Sequence, residues 1–306
     1  MYLAYLRGRQ YELIALRELV EKQVLSNKII PVIEPVRLST TLVKTIELYG
    51  QKNRLIAFIT NPKVGNFDDE KNEEDNKKLA KDLDISLQSN NVISMYLLKA
   101  NSDPVEFNVT SGRRVGTICV DSDSIAIYQK YFAHIAVDYN LMPDESAYRR
   151  KIENNRVLLA DRFNKRPKNS DYKVNDDEPF SEDHLYYNLD GYIGFADYSI
   201  VGSEYSETGF APYAVAIHIV YFSGDNSLRV RHFVSDSNDD TKDAPKKFQE
   251  ALVKLIKWNE EMKLDTVAMK EFQKLYDRQA YPGLGTVKKL CIMHHLELIG
   301  DYLDKE

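Results

Sequence analysis

Apolar runs and helix-period segments alternate from the first residue to about position 199. YLAYLR is short and apolar. QYELIALRELVEKQV follows it, with Leu13, Leu16, Leu19 and Val20 at helical spacing. IIPVIEPV, from Ile29 to Val36, reads as a buried strand. Ser39 or Thr40 is placed to cap the helix TTLVKTIELYGQ, and Gly50 to end it. RLIAFITNP is a further strand. The acidic run FDDEKNEEDNKK leads into a helix carrying Leu79, Leu83 and Ile85, and VISMYLLKA comes next. The connectors then shorten. GTICVD precedes SDSIAIYQKYF, HIAVDYN precedes ESAYRRKIENN, and RVLLADRF precedes a polar loop from Asn164 to Asp190, after which GYIGFADYS closes the series. Beyond Ser199 the pattern changes. AVAIHIVYF and SLRVRHFVS flank Ser223-Gly224-Asp225-Asn226 as a hairpin, and three helical segments end the chain.

Strands alternating with helices imply right-handed crossovers and a parallel sheet. Eight strand candidates through GYIGFAD predict an α/β chain folded as a (β/α)8 TIM-like barrel, irregular where its connectors are short, with a C-terminal hairpin and helical cap. An open doubly wound sheet is the alternative. Its glycine-rich phosphate turn is missing, since the first strand is followed by RGRQYE with only Gly8. The expected division is a barrel domain over 1–240, hairpin included, and a helical segment over 241–306.

Four apolar runs end on an aspartate: Asp121, Asp138, Asp161 and Asp197. With strand period two, Asp161 shares a side with Leu159 and Val157, Glu34 with Val32 and Ile30, Arg7 with Tyr5 and Leu3, and Asp197 with Phe195 and Ile193. These side chains, with Asn61 and Lys99, are expected around the C-terminal rim, where barrel enzymes place their chemistry. An Asp after a strand is also an ordinary helix cap, and Asp121 before Ser122-Asp123-Ser124 fits that role best. Clustered carboxylates need a cation, or raised pKa values, to coexist. Glu34, Asp138, Asp161 and Asp197 would suit Mg²⁺ or Mn²⁺, with Asp161 and Asp197 also catalytic. Arg7, Arg9, Arg37 and Lys99 would bind an anionic substrate such as a phosphate ester. The alternative is that these acids and bases form structural ion pairs. His218 on the hairpin is a candidate general acid or base, or a half-buried structural histidine. Adjacent His294 and His295 point about 100° apart on a helix and do not share a metal easily.

Composition narrows the classes. Hydrophobic residues at 43% and charged residues at 29% are those of a globular protein, and a net charge of −6 disfavours a broad basic groove for duplex DNA. No HExxH, CxxC, GxSxG or Walker loop is present. Cys119 and Cys291 lie inside apolar patterns as expected free thiols. No run reaches the ~18 apolar residues of a spanning helix, and Arg7 and Arg9 come too early for a signal peptide, so a cytoplasmic chain without membrane partner is expected.

The opening YLAYLRGRQYELIALREL followed by IIPVIEPV resembles a bacterial and phage group, the beta protein family, at Tyr5, Arg7, Glu12, Ala15, Leu16, Leu19, Pro31 and Glu34. The match covers about forty residues and is loose afterwards. The resemblance implies a mobile-element or phage-defence setting and a protein partner encoded by a neighbouring gene; it supplies no catalytic residues. Two functions are therefore expected to compete. One is a metal-dependent enzyme on a phosphate ester, a nucleotide or nucleic acid. The other is a non-catalytic subunit whose loops, 164–190 and 199–213, hold the partner.

Overall fold

The computed structural model describes the chain except residues 101–103, 108, 110–111 and 208–211. It divides into two compact units, residues 1–161 with 183–198, and residues 162–182 with 199–306.

The first unit is a closed parallel barrel. Its strands are β1 (Tyr2–Leu6), β2 (Ile29–Ile33), β3 (Ile56–Ile59), β4 (Val92–Leu98), β5 (Arg114–Cys119), β6 (Tyr139–Met142) and β7 (Arg156–Leu159), and, beyond β8 (Asp177–Ser181) of the other unit, β9 (Gly194–Asp197). Each pairs with the next, and β9 pairs with both β7 and β1 to complete the ring. The connectors are α1 (Gln10–Glu21), α2 (Thr40–Gln51), α3 (Phe67–Asn72) with α4 (Lys77–Ser86), α5 (Ser124–Tyr131) and α6 (Ser146–Arg149); α7 (Asp183–Tyr186) precedes β9. Among the described residues the β4–β5 connection holds only the 3₁₀ turn Pro104–Phe107. The (β/α)8 barrel is thus regular in its first half and thin in its second, as the shortening connectors predict. Both faces of its strands are buried: Leu3, Tyr5, Val32, Ile59, Leu141 and Leu159 fill the interior, while Tyr2, Leu6 and Ile33 are buried on the outside.

Two glycines shape the mouth loops. Gly8 adopts φ +61°, and a Cβ there would stand 3.2 Å from the Glu34 carbonyl oxygen. Gly65 adopts φ +74°, where a Cβ would lie 2.2 Å from the Val36 carbonyl oxygen. Any side chain at position 65 meets backbone rather than a movable side chain.

The second unit is a three-stranded antiparallel sheet, ordered β10 (Ala216–Phe222), β11 (Leu228–Val234) and β8, with helices α8 (Ala244–Met262), α9 (Val267–Asp277) and α10 (Leu284–Lys305). Asp243 caps α8 through Lys246 N, and Thr266 caps α9 through Met269 N. Among the described residues no helix is long and apolar enough to cross a membrane.

Three sequence expectations change. The hairpin pairs with β8 in its own sheet, and residues 199–240 group with the C-terminal helices rather than with the barrel over 1–240. The polar stretch 164–190 contains β8 and α7 rather than being all loop. HIAVD is not the sixth strand; that strand is the following YNLM, so Asp138 enters β6 instead of leaving it.

Gly65→Ala tests the close approach. It is expected to lower the stability of the barrel by roughly 1–3 kcal/mol, read as a shifted urea midpoint at unchanged slope. A midpoint equal to wild type would show that the loop moves aside freely.

Candidate functional site at the barrel mouth

Interior positions Tyr5, Val32 and Leu159 continue, two residues on, to Arg7, Glu34 and Asp161 at the C-terminal mouth. Glu34 is fully buried there. Its Oε2 accepts hydrogen bonds from the Tyr5 hydroxyl at 2.7 Å and from Arg7 Nη1, and its Oε1 accepts from the Lys63 backbone N–H at 2.9 Å. Gly65 lets the chain fold back on Val36 close to that Lys63 donor. The buried Glu12 carboxylate accepts from the Arg7 N–H at 2.8 Å and from the Arg9 N–H at 3.5 Å, which holds the loop that aims Arg7. The Arg7 guanidinium lies 5.1 Å from the Tyr5 ring and 5.7 Å from the Tyr198 ring, and the two rings are 4.7 Å apart.

A second polar knot adjoins this one. Asn61 Nδ2 donates to the Leu97 carbonyl at 3.0 Å and to Glu106 Oε2 at 2.9 Å, while its Oδ1 accepts from the Leu97 N–H at 2.8 Å. Lys63 Nζ donates to both Glu106 oxygens, at 2.9 and 2.7 Å. Burial pushes the Tyr5 phenol up against the lowering pull of Arg7. Burial likewise raises the Tyr198 phenol, with Arg7 opposing and Asp161 adding to the rise. Arg7, Tyr198 and Asp161 therefore share one field at the mouth.

The other predicted residues are dispersed. Asp161 is exposed, and Lys99 is exposed at the end of β4. Arg9 is the N-cap residue of α1. Arg37 is exposed and pairs with Glu70 at 3.6 Å. Asp121 is not the N-cap of α5, which is Asp123; its carboxylate accepts from Ser124 N at 3.1 Å and from Ala100 N at 3.2 Å and so ties the turn before the helix to the end of β4.

Asp138 stands at the opposite, N-terminal end of the barrel. Its carboxylate accepts from Val115 N at 2.8 Å, so it is a splice between β5 and β6 rather than a rim ligand. Asp197 faces outward. β9 sets Ala196 inside, so Asp197 and Phe195 lie on the outer face with Tyr2, whose ring stacks on Phe195 at 5.1 Å and whose hydroxyl donates to Asp197. Burial pushes the Tyr2 phenol well up, with Asp197 adding to the shift. The set Glu34, Asp138, Asp161 and Asp197 does not converge, and among the described residues no group of three or more His, Cys, Asp or Glu side chains is placed to hold a metal ion. These residues do not fit the expected Mg²⁺ or Mn²⁺, and no chemical step is assigned to one.

His218 lies in the second unit, on β10 opposite His232 of β11. The four histidines of that unit are held neutral. Burial lowers His294 to about 4 and His295 to about 3, and it also lowers His218 and His232. At His294 burial lowers the pKa although the hydrogen bond to Val220 opposes it. The His294 Nε2 donates to the Val220 carbonyl at 2.7 Å, and its Nδ1 meets the Thr266 hydroxyl at 2.8 Å, so one proton satisfies the ring. Glu297 opposes the trend: burial raises its carboxyl to about 7 although both oxygens accept from Val267 N. Sequence reasoning missed Glu106 at the mouth; the place of Tyr198 there follows from continuing the alternation two residues past Ala196.

Two outcomes follow from these charges. Glu34→Gln leaves the Arg7 cation without its buried anion, and Arg7 and Glu34 side chains are 13% and 1% exposed. Loss of roughly 3 kcal/mol is expected, against the 0–1 kcal/mol of an exposed pair such as Lys77–Glu74. A denaturation midpoint within error of wild type would remove the pair from the stability of the mouth. The second outcome concerns pH. An unfolded histidine binds its proton near pH 6.5, whereas the buried ones refuse it until about pH 4 or below, so the unfolded state takes up protons first as pH falls. Glu297 and Asp301 work the other way: burial raises both carboxyls, and the Glu297 contribution is lost as pH rises through about 7. The second unit should thus lose stability from about pH 6.5 downward, by roughly 1 kcal/mol per pH unit for each histidine. Urea melts followed by Trp258 fluorescence at pH 7 and pH 5 check this, and equal midpoints would contradict it. Compared with known proteins, the chain matches no family model, no curated protein and no solved structure.

Proposed function

We propose that the barrel mouth binds the phosphate of a phosphate ester, either a nucleotide or the end of a nucleic acid, within a cytoplasmic phage-defence or mobile-element module of bacteria. The observation that carries this reading is the Arg7 guanidinium, held by Glu34 and flanked by the Tyr5 and Tyr198 rings, with Lys99 exposed on the same rim. Arginine presents a planar fork that matches phosphate oxygens. The reading is recognition without metal-dependent hydrolysis, because Glu34 is already taken by three donors and Asp197 faces away. Asp161 is then a like charge that weakens the anion rather than a ligand that binds through a cation.

The sign of that last effect makes the test sharp. Calorimetric titration with a nucleoside triphosphate in EDTA should show binding that Lys99→Ala weakens roughly fivefold to tenfold and Asp161→Asn strengthens. Binding that needs Mg²⁺ or Mn²⁺, and that Asp161→Asn abolishes, would restore the metal-dependent enzyme. No binding in either condition would end both.

A second reading, a partner-binding subunit, is favoured by one surface feature. Tyr186, Leu189 and Ile193, close together in sequence just before and at the entry to β9, are 48%, 81% and 40% exposed. Apolar side chains gathered at the surface mark protein contacts. The neighbouring gene product should co-purify with the wild-type chain and be released by Leu189→Asp while phosphate binding persists; retention on the variant would place the contact elsewhere. The other expected partner loop, 199–213, lies in part outside the described residues.

A further inference from the structure

The sheet-and-helix unit holds a chain of titratable groups that phosphate recognition at the mouth does not use. Glu178, on β8, is buried and receives Arg166 Nη2 at 2.9 Å and Asn175 Nδ2 at 3.1 Å on its Oε2. Its Oε1 faces His232 Nε2 at 3.3 Å. His232 Nδ1 in turn faces His218 Nδ1 at 2.7 Å. The carboxylate accepts only, so His232 carries its proton on Nε2 and offers a lone pair at Nδ1. His218 must then carry its proton on Nδ1, which leaves a lone pair on Nε2. His232 is buried and His218 is half-buried, and the His218 Nε2 makes no hydrogen bond among the described residues.

We propose that His218 Nε2 is a nucleophile that accepts an uncharged activated acyl group, with His232 and Glu178 as its proton relay. The Nε2 lone pair forms the bond to the acyl carbon, and the leaving group departs with its electron pair. The Nδ1 proton passes to His232 Nδ1, and the imidazolium so formed is balanced by Glu178. Water then hydrolyses the acyl-imidazole, and the proton returns. The ring neighbours of His218 are Phe163 at 5.1 Å, Tyr172 at 4.7 Å and His232 at 4.8 Å, none of them a fixed cation. An uncharged acyl group suits that setting better than a phosphoryl group. Burial pushes the Cys291 thiol up to about 12, so it does not compete as a thiolate. His232 and Glu178 are positioning residues.

The probe is p-nitrophenyl acetate, with exposed His134 as the internal control. Mass spectrometry should place the acetyl group on His218 at least tenfold faster than on His134. Glu178→Gln should slow His218 acetylation about tenfold while the Trp258 melt still shows a folded unit. Should that variant fail to fold, ¹⁵N NMR of the wild-type chain decides: a proton on His218 Nδ1 supports the relay, and one on Nε2 overturns it. Acetylation of His218 no faster than His134, or a rate unchanged in folded Glu178→Gln, would reduce the pair to a structural contact.

Discussion

A parallel sheet that closes on itself commits every second residue of every strand to one shared interior. The buried Glu34–Arg7 contact depends on that commitment. Leu3 and Tyr5 point inward, so Arg7 arrives at the mouth on the same side; Ile30 and Val32 point inward, so Glu34 arrives beside it. Neither charge would be tolerable alone at that depth, because an unpaired buried ion costs several kcal/mol. Together, with Tyr5 and the Lys63 N–H on the Glu34 carboxylate, they form a paired knot that fixes where the guanidinium sits at the mouth. Glu12, Gly8 and Gly65 all serve that knot, the first by holding the loop of Arg7 and the two glycines by admitting close backbone approach.

The eight-fold alternation of strand and helix was legible because periodicity and connector length survive without tertiary information. The direction of each strand's faces was not. Alternation states which residues share a side, and in a sheet buried on both faces it does not state which side is inner. Glu34 and Asp161 follow interior residues, whereas Asp197 follows Phe195, an outer residue as apolar as any inner one. The small Gly194 and Ala196 were the available signal, since a Cβ at Gly194 would stand 2.9 Å from the Met1 carbonyl oxygen and bulk there is excluded. Asp138 failed for a different reason. Ile135, Ala136 and Val137 look more strand-like than Tyr139 to Met142, because buried Asn140 interrupts the apolar run. Its amide is satisfied by the Thr117 hydroxyl at 2.6 Å and the Asn154 carbonyl at 2.9 Å, partners that no local window contains. The strand β8, inside a stretch rich in Asp, Asn and Lys, is held by cross-strand partners such as Arg229 on Asp177 rather than by its own hydrophobicity.

The second unit solves the opposite problem, that of an open sheet. β10 is an edge strand, and unpaired edge carbonyls invite foreign strands. His294 occupies one of them by donating to Val220, and its other nitrogen is tied to the α9 cap residue Thr266. A neutral histidine suits this duty because it offers one donor and one acceptor in a rigid ring. The same economy recurs at His232, which links a carboxylate to a second imidazole. Such arrangements hold only while the rings stay neutral, so the chemistry that closes the sheet also makes it sensitive to acid.

The charge balance at the mouth bears on its chemistry more than the number of acids does. A divalent cation needs carboxylate oxygens with lone pairs to spare, directed at one point. Glu34 has given its oxygens to Tyr5, Arg7 and Lys63, Glu106 has given its own to Lys63 and Asn61, and Asp138 and Asp197 are elsewhere. Asp161 is exposed and is a single carboxylate at the mouth, apart from the others of the predicted set. Against it stand Arg7, neutralised in part but backed by two aromatic faces, and Lys99, which extends into solvent. An anion at the proposed site would meet the Arg7 guanidinium already oriented, whereas a metal would first have to break a buried ion pair, at a cost of several kcal/mol. The proposed recognition of an anion is therefore the reading that leaves the knot intact.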